Sequence, residues 1–82
     1  MSSTNYIYIL SLEDGSWYVN TTAALSAEIS LHTKGGVPAT AGKDPQLVWT
    51  EEWTDSETIQ KRVALLSKLS KDAPRDLLYI LQ

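Results

Sequence analysis

The stretch NYIYILSLEDGSWYV, residues 5–19, decides the fold because it predicts a β-hairpin. Aromatic and β-branched residues stand on both sides of Asp14-Gly15, a strong turn signal. A three-residue loop of Glu13, Asp14 and Gly15, with Gly15 left-handed in a bulge, would put Tyr8 and Tyr18 on the same face. A two-residue loop would put them on opposite faces. We expect the bulged loop.

A helix and a loop are predicted to follow the hairpin. Thr21 or Thr22 can cap a helix that runs to about Thr33, where a glycine pair stops it. Residues 35–45, GGVPATAGKDP, have the composition of a loop, rich in glycine and proline and without periodicity.

Residues 46–53, QLVWTEEW, alternate as a third strand. One face is predicted to carry Leu47, Trp49, Glu51 and Trp53. The other face is predicted to carry Val48, Thr50 and Glu52. Because a glutamate shares the tryptophan face, we expect that face to be only partly buried.

Two more helices are predicted after this strand. A capping box, Thr54-x-x-Glu57, opens the first of them. Its apolar residues recur at helical spacing, at Ile59, Val63, Leu66 and Leu69. Asp72 can cap the last helix, with Pro74 in its first turn. Residues 1–82 are thus predicted to form one small α+β domain of order ββαβαα, with a three-stranded antiparallel sheet flanked by helices.

Composition argues against several classes of protein. The 82 residues include no cysteine and one histidine, so a disulfide framework and a thiolate or multi-histidine metal site are excluded. We expect no metal and no cofactor. The polar start and the absence of a long apolar segment predict no membrane span and a cytoplasmic location. Ten acidic residues against seven basic ones give a net charge of −3, which disfavours nucleic-acid binding.

Two polar residues project into the predicted apolar face of the first helix, which is formed by Ala24, Leu25, Ala27, Ile29 and Leu31. Glu28 and His32 are four residues apart, close enough to hydrogen-bond. A carboxylate beside an imidazole can serve as a general base. The alternative is a structural pair near the helix C-terminus, where the helix dipole favours a protonated imidazole.

Several stretches, taken in order, resemble the GIY-YIG endonuclease superfamily, above all its small stand-alone bacterial members. They are YIY in the first strand, YVN at the end of the second, a helix ending at His32, and Thr40 and Pro45 before LVWTEEW. The resemblance runs from about Tyr6 to Lys71. It implies a small antiparallel sheet flanked by helices, in agreement with the predicted order of elements.

The resemblance also implies a site. In active members, two tyrosines, an arginine and a metal-binding glutamate surround a scissile phosphate. By position, the tyrosines are retained here as Tyr8 and Tyr18. His32 fits a histidine that is common in the small members.

Other positions depart from the superfamily pattern. The glycine of the second motif falls on Asn20, the arginine on Glu28 and the metal-binding glutamate on Val63. Pro38 and Ala41 replace basic residues that are usual around the loop threonine. A glutamate in place of the arginine repels the phosphate, and a valine cannot hold a cation. The resemblance therefore implies a domain that has lost catalysis.

A catalytically inactive domain would act as a protein-interaction or regulatory module, in contact with a protein partner or with a second copy of itself. Trp17, Trp49 and Trp53 are candidate binding residues, since tryptophan is enriched at interface hot spots. Ordinary core packing is the alternative explanation for at least two of them.

Two other functions compete with this one. A non-cleaving nucleic-acid binder would contact phosphates through basic residues of the last third of the chain, and a solvated helix face is the simpler explanation of their charge. These residues are Lys61, Arg62, Lys68, Lys71 and Arg75. A residual or rewired nuclease would use His32 as base, oriented by Glu28, with Tyr8 or Tyr18 as acid or nucleophile.

Overall fold

A three-stranded antiparallel sheet with helices on both faces forms the fold. The computed structural model describes residues 4–80. Its strands are β1 (Asn5–Ser11), β2 (Trp17–Thr22) and β3 (Gln46–Trp53), in the spatial order β2-β1-β3. Its helices are α1 (Leu25–Thr33), α2 (Ser56–Asp72) and α3 (Pro74–Ile80). The predicted α+β class and the ββαβαα order are confirmed.

The β1–β2 hairpin has the predicted three-residue loop. The amide of Leu12 donates to the carbonyl oxygen of Ser16 across 2.9 Å and closes the loop. Gly15 has a φ of +86°, a left-handed conformation that glycine adopts without a Cβ penalty. The resulting register places Tyr8 and Tyr18 on the same face of the sheet, as predicted.

Alternation along β1 divides the buried side chains into two layers. The layer under α2 and α3 contains Ile7, Ile9, Ile59, Leu66 and Leu77. The layer under α1 contains Tyr8, Leu10 and Leu12, with Tyr18, Leu25 and Ile29 half-buried around them. The central strand therefore contributes to both layers, and the tyrosine face lies toward α1.

A bulge in β3 changes the face of one predicted residue. Trp49 pairs with Ile9, but Leu47 pairs with Leu10, so Val48 is an extra residue between them. Trp49 keeps the predicted face, whereas the prediction for Leu47 was wrong because simple alternation does not anticipate an inserted residue. Leu47 lies on the α1 side of the sheet.

The buried face of α1 differs from the predicted apolar arc. Its inward residues are Leu25, Glu28, Ile29 and His32, at positions i, i+3, i+4 and i+7. Leu31, which was expected in that arc, is 45% exposed. The inward projection of the two polar residues is confirmed.

The prediction for the start of α1 was wrong, and the prediction for its end was right. The cap predicted at Thr21 or Thr22 was wrong, because β2 continues through Thr22 and Ala24 occupies the N-cap without a capping side chain. α1 ends at Thr33, as predicted. The chain reverses at Gly35, with a φ of +78°, and its amide donates to the carbonyl oxygen of His32 at 3.0 Å.

The residues that cap α2 and α3 also differ from the predicted ones. Asp55, and not Thr54, caps α2, because its Oδ2 accepts the amide of Thr58 at 3.1 Å. Asp72 does not cap α3. It is the last residue of α2, and the carbonyl oxygen of Ala73 accepts the first backbone bonds of α3. Within residues 4–80, no helix is long and apolar enough to cross a membrane.

Candidate functional site

A group of polar side chains lies on the α1 side of the sheet, between β1, β2, α1 and the loop after α1. We call it the polar cluster. Its members are Tyr8, Tyr18, Asn20, Glu28, His32 and Thr40. Five of these six were predicted as site residues from the sequence. The sixth, Thr40, was named there only as part of the superfamily resemblance, with no role in a site.

Tyr8 is the centre of the polar cluster. Its side chain is fully buried, and its hydroxyl lies 3.1 Å from Oε2 of Glu28 and 2.9 Å from Nε2 of His32. Glu28 and His32 form no hydrogen bond with each other. The predicted direct pair is therefore replaced by a bridge through the tyrosine hydroxyl.

His32 has a second partner in the loop after α1. Its Nδ1 lies 2.7 Å from Oγ1 of Thr40, and both residues are almost completely buried. The hydroxyl of Thr40 is 3.5 Å from the carbonyl oxygen of Val37, which is too long for a good hydrogen bond. Both ring nitrogens of His32 are thus occupied by side chains.

The direction of these hydrogen bonds follows from the groups at the two ends of the hydrogen-bonded chain, the Glu28 carboxylate and the Thr40 hydroxyl. A carboxylate only accepts, so the hydroxyl proton of Tyr8 goes to Glu28. His32 must then donate from Nε2 to the oxygen of Tyr8, and its unprotonated Nδ1 accepts from Thr40. This order assigns the neutral Nε2–H tautomer to His32 and forms a chain of donors that ends at the Glu28 carboxylate.

The titration properties fit this assignment. Burial raises the pKa of Tyr8, and the neighbouring charge of Glu28 raises it further. Burial lowers the pKa of His32 below 6.5, and Glu28 opposes this effect only in part. Tyr8 is therefore a protonated donor and His32 a neutral imidazole near pH 7.

Tyr18 and Asn20 form the outer edge of the cluster on β2. The side-chain amide of Asn20 donates to the hydroxyl of Tyr18 across 2.9 Å. The ring of Tyr18 lies edge-on to His32, with 5.1 Å between centroids, and 6.2 Å from the ring of Tyr8. Asn20 is exposed and Tyr18 half-buried, so this edge faces solvent.

A cavity of about 360 Å³ opens beside His32, between α1, the following loop and β3. Ile29 and Leu47 contribute apolar walls, and Asp44 contributes a carboxylate. Because both nitrogens of His32 already have protein partners, the imidazole offers no free nitrogen to a molecule in this cavity.

Val63 is not part of the polar cluster. It packs against the layer of Ile7 and Ile9, on the other face of the sheet from Tyr8. A hydrocarbon side chain in that layer supplies no ligand for a cation. In the described part of the chain, no group of three histidine, cysteine or acidic residues could hold a metal ion. The metal that the superfamily resemblance implies does not fit these residues.

The tryptophans form a separate structure around Glu51. The Glu51 carboxylate accepts the indole N–H groups of Trp49 and Trp53 at 3.0 and 2.9 Å. It also accepts Nε of Arg62 at 2.9 Å and makes a second bond to Nη2. Trp17 and Trp49 pack against the Ile7 layer, whereas Trp53 is 37% exposed. The sequence analysis placed Glu51 on the tryptophan face but missed its bonds to the two indoles, although the two-residue spacing of these three residues in a strand was a signal for them.

The predicted nucleic-acid contacts lie on α2 and α3, away from the polar cluster. Arg62 is held by Glu51, and Lys61 pairs with Glu57 at 3.2 Å. The others, Lys68, Lys71 and Arg75, are exposed. Pro38 and Ala41 stand where the resemblance would place basic residues. Both are exposed, in the loop that also carries Thr40.

One solved structure with a clear likeness is the solution NMR structure of a UPF0213 protein from Bacillus halodurans. It superposes with a TM-score of 0.61 and 29% sequence identity, over 94% of this chain and 84% of that chain. UPF0213 proteins have a GIY-YIG-type nuclease-like fold, so the likeness supports the predicted superfamily at the level of fold. No family model and no curated protein matches the chain.

Proposed function

We propose that this domain is a catalytically inactive relative of the GIY-YIG nucleases and acts as a protein-interaction or regulatory module. One observation carries the proposal. The carboxylate of Glu28, at the position that the resemblance gives to an arginine, is directed at Tyr8 within the polar cluster. An anion at this point repels a phosphate group and cannot stabilise the charge of its transition state.

Val63 supplies no metal ligand to the polar cluster. The resemblance assigns the metal-binding glutamate to this position, but its side chain packs in the Ile7 layer on the opposite face of the sheet. Metal-assisted hydrolysis needs a cation held close to the phosphate. In residues 4–80, no group of three histidine, cysteine or acidic residues replaces that glutamate as a metal site.

An interaction role is supported by the surface of β3. Leu47 and Val48 are each 43% exposed and Trp53 is 37% exposed. β3 is at the edge of the sheet, and no backbone group of residues 4–80 pairs with its outer side. Unpaired edges and exposed tryptophan are both features of protein contact surfaces.

A nuclease assay tests the loss of catalysis. The purified domain would be incubated with Mg²⁺ or Mn²⁺ and with branched, single-stranded and duplex substrates, and its binding to the same molecules would be followed against salt. We expect neither cleavage nor salt-dependent binding. Metal-dependent cleavage that disappears in Tyr8→Phe would overturn the proposal, and binding without cleavage would favour the nucleic-acid alternative.

A second experiment tests the interaction role. Tagged domain would be used to recover cross-linked partners from cell extract, and its mass in solution would be measured by light scattering across a range of concentrations. We expect a specific partner or a dimer with the native sequence and a reduced amount with Val48→Lys, which puts a charge on the exposed edge strand. A monomer without a specific partner would contradict the interaction role.

A further inference from the structure

The excess negative charge of the chain lies on the α1 side of the sheet. Five of the ten acidic residues belong to this side, on α1, the loops beside it and the tyrosine face of β3. They are Glu13, Asp14, Glu28, Asp44 and Glu52. Only Lys34 and Lys43 oppose them there, and Lys43 is paired with Asp14 at 3.5 Å. The other five basic residues are on α2 and α3, so the α1 side attracts cations.

Glu28 has hydrogen-bonding capacity that the described residues do not use. A carboxylate can accept about four hydrogen bonds, and Glu28 accepts one, from Tyr8 to Oε2. No lysine or arginine among residues 4–80 forms an ion pair with it. The side chain is half-buried, and no fully buried side-chain oxygen in this part of the chain lacks a partner, so Oε1 is at least partly accessible to solvent.

Tyr18 provides an aromatic ring on the same side of the sheet as this carboxylate, and Tyr8 lies beside both. Its ring lies 6.2 Å from the ring of Tyr8, whose hydroxyl holds Glu28, and Asn20 fixes its hydroxyl from the outer side. The face of an aromatic ring attracts a cation, and the attraction is larger where water is partly excluded. The half-buried Tyr18 meets this condition.

We propose that Glu28 and Tyr18 form a binding site for an arginine side chain of a partner protein. A guanidinium group matches the geometry, because its planar fork of N–H donors fits a carboxylate and its face stacks on an aromatic ring. A lysine would satisfy the charge but not the fork, so it binds more weakly. This inference rests on the proposed interaction function and names the chemistry that its partner presents.

An NMR titration of the ¹⁵N-labelled domain tests the site. The probe is N-acetyl-arginine methylamide, and the matched probe is N-acetyl-citrulline methylamide, which has the same length and no charge. We expect the arginine probe to shift the amide signals of Tyr18, Asn20 and Glu28 with saturation on the order of millimolar concentrations, as one side chain allows. The citrulline probe should leave them in place.

Two variants show whether the carboxylate is responsible. Glu28→Gln should abolish the saturable shifts, while Glu52→Gln, which removes the same charge from the same face of the sheet, should keep them. Dispersed spectra confirm that both variants fold. The arginine site is overturned if the arginine probe gives no saturable shift, if both probes act alike, or if Glu28→Gln responds like the native domain.

This test is separate from the nuclease assay. Metal-dependent cleavage would overturn the proposed function without changing the arginine titration. A failed titration would overturn the arginine site and leave the absence of cleavage unaffected.

Discussion

Tyr8 and His32 share a buried hydrogen bond, with 2.9 Å between the tyrosine hydroxyl and Nε2 of the histidine. This bond joins the central strand of the sheet to α1. It also fixes the tautomer of the imidazole, because the same hydroxyl donates its proton to Glu28. Tyr8 is therefore both a residue of the candidate site and a structural link between β1 and α1.

Removal of that hydroxyl should destabilise the domain. Tyr8→Phe leaves the buried Nε2–H of His32 without an acceptor, and we expect the free energy of unfolding to fall by about 1–3 kcal/mol. Urea unfolding followed by tryptophan fluorescence measures the change. Tyr6→Phe is the matched control, because it removes the same atom from a half-buried tyrosine of the same strand. Equal losses in both variants would contradict the role of the bond.

The titration of His32 should depend on Glu28. Burial puts the pKa of His32 below 6.5, and the charge of Glu28 raises it in part. Glu28→Gln should therefore lower this pKa further. His32 is the only histidine in the chain, so its ring signals can be followed by NMR against pH without ambiguity. An increase of the pKa in the variant would be inconsistent with the geometry.

The same shift has a consequence for stability. Because the folded pKa of His32 is below 6.5, the unfolded chain binds a proton more readily as the pH falls. The free energy of unfolding should therefore decrease below about pH 6.5 through this group.

Acid stability should depend on Glu51. Hydrogen bonds from Arg62 hold the pKa of this carboxyl at about 2, below its ordinary value of 4.5. The ionised carboxylate contributes roughly 2–3 kcal/mol to the free energy of unfolding. This contribution is complete above pH 4.5 and is lost as the pH falls toward 2. Unfolding measured from pH 6 to pH 2 should show a weaker pH dependence in Glu51→Gln. Glu52→Gln, at the exposed neighbour, should keep the native profile.

The N-cap of α2 can be assigned by substitution. Asp55→Ala removes the oxygen that accepts the amide of Thr58, so we expect the midpoint of thermal unfolding to fall by roughly a few degrees. Thr54→Ala should have a smaller effect, because Asp55 already fills the cap. Calorimetry measures both, and the reverse order would restore the capping box predicted from the sequence.

The elements that could be predicted from the sequence are those with a local signal. Asp14-Gly15 specifies the hairpin turn, and the spacing of Ile59 and Leu66 specifies the inner face of α2. The bulge at Val48 has no such signal, because apolar residues on either side fit both registers. Thr54 and Asp55 both carry a capping oxygen, and the choice between them depends on where β3 ends.

The candidate site shows the same division. The hairpin register and the helical spacing of Glu28 and His32 bring these residues to Tyr8, and both patterns can be read along the chain. Thr40 lies in a loop without periodicity, so nothing in the sequence pattern indicated its bond to His32. Val63 has a clear helical position, but only the three-dimensional structure shows that the sheet separates it from Tyr8.

The division of the core into two layers means that the domain can open in parts. β1 is hydrogen-bonded on both sides, and α2 and α3 cover one of its faces, whereas the nine-residue α1 covers the other through Leu25, Ile29 and His32. A local unfolding event that releases α1 would expose Tyr8 while the layer of Ile7 stays intact. Access to the polar cluster is thus governed by a small cooperative unit, and amides of α1 should exchange with solvent faster than those of β1.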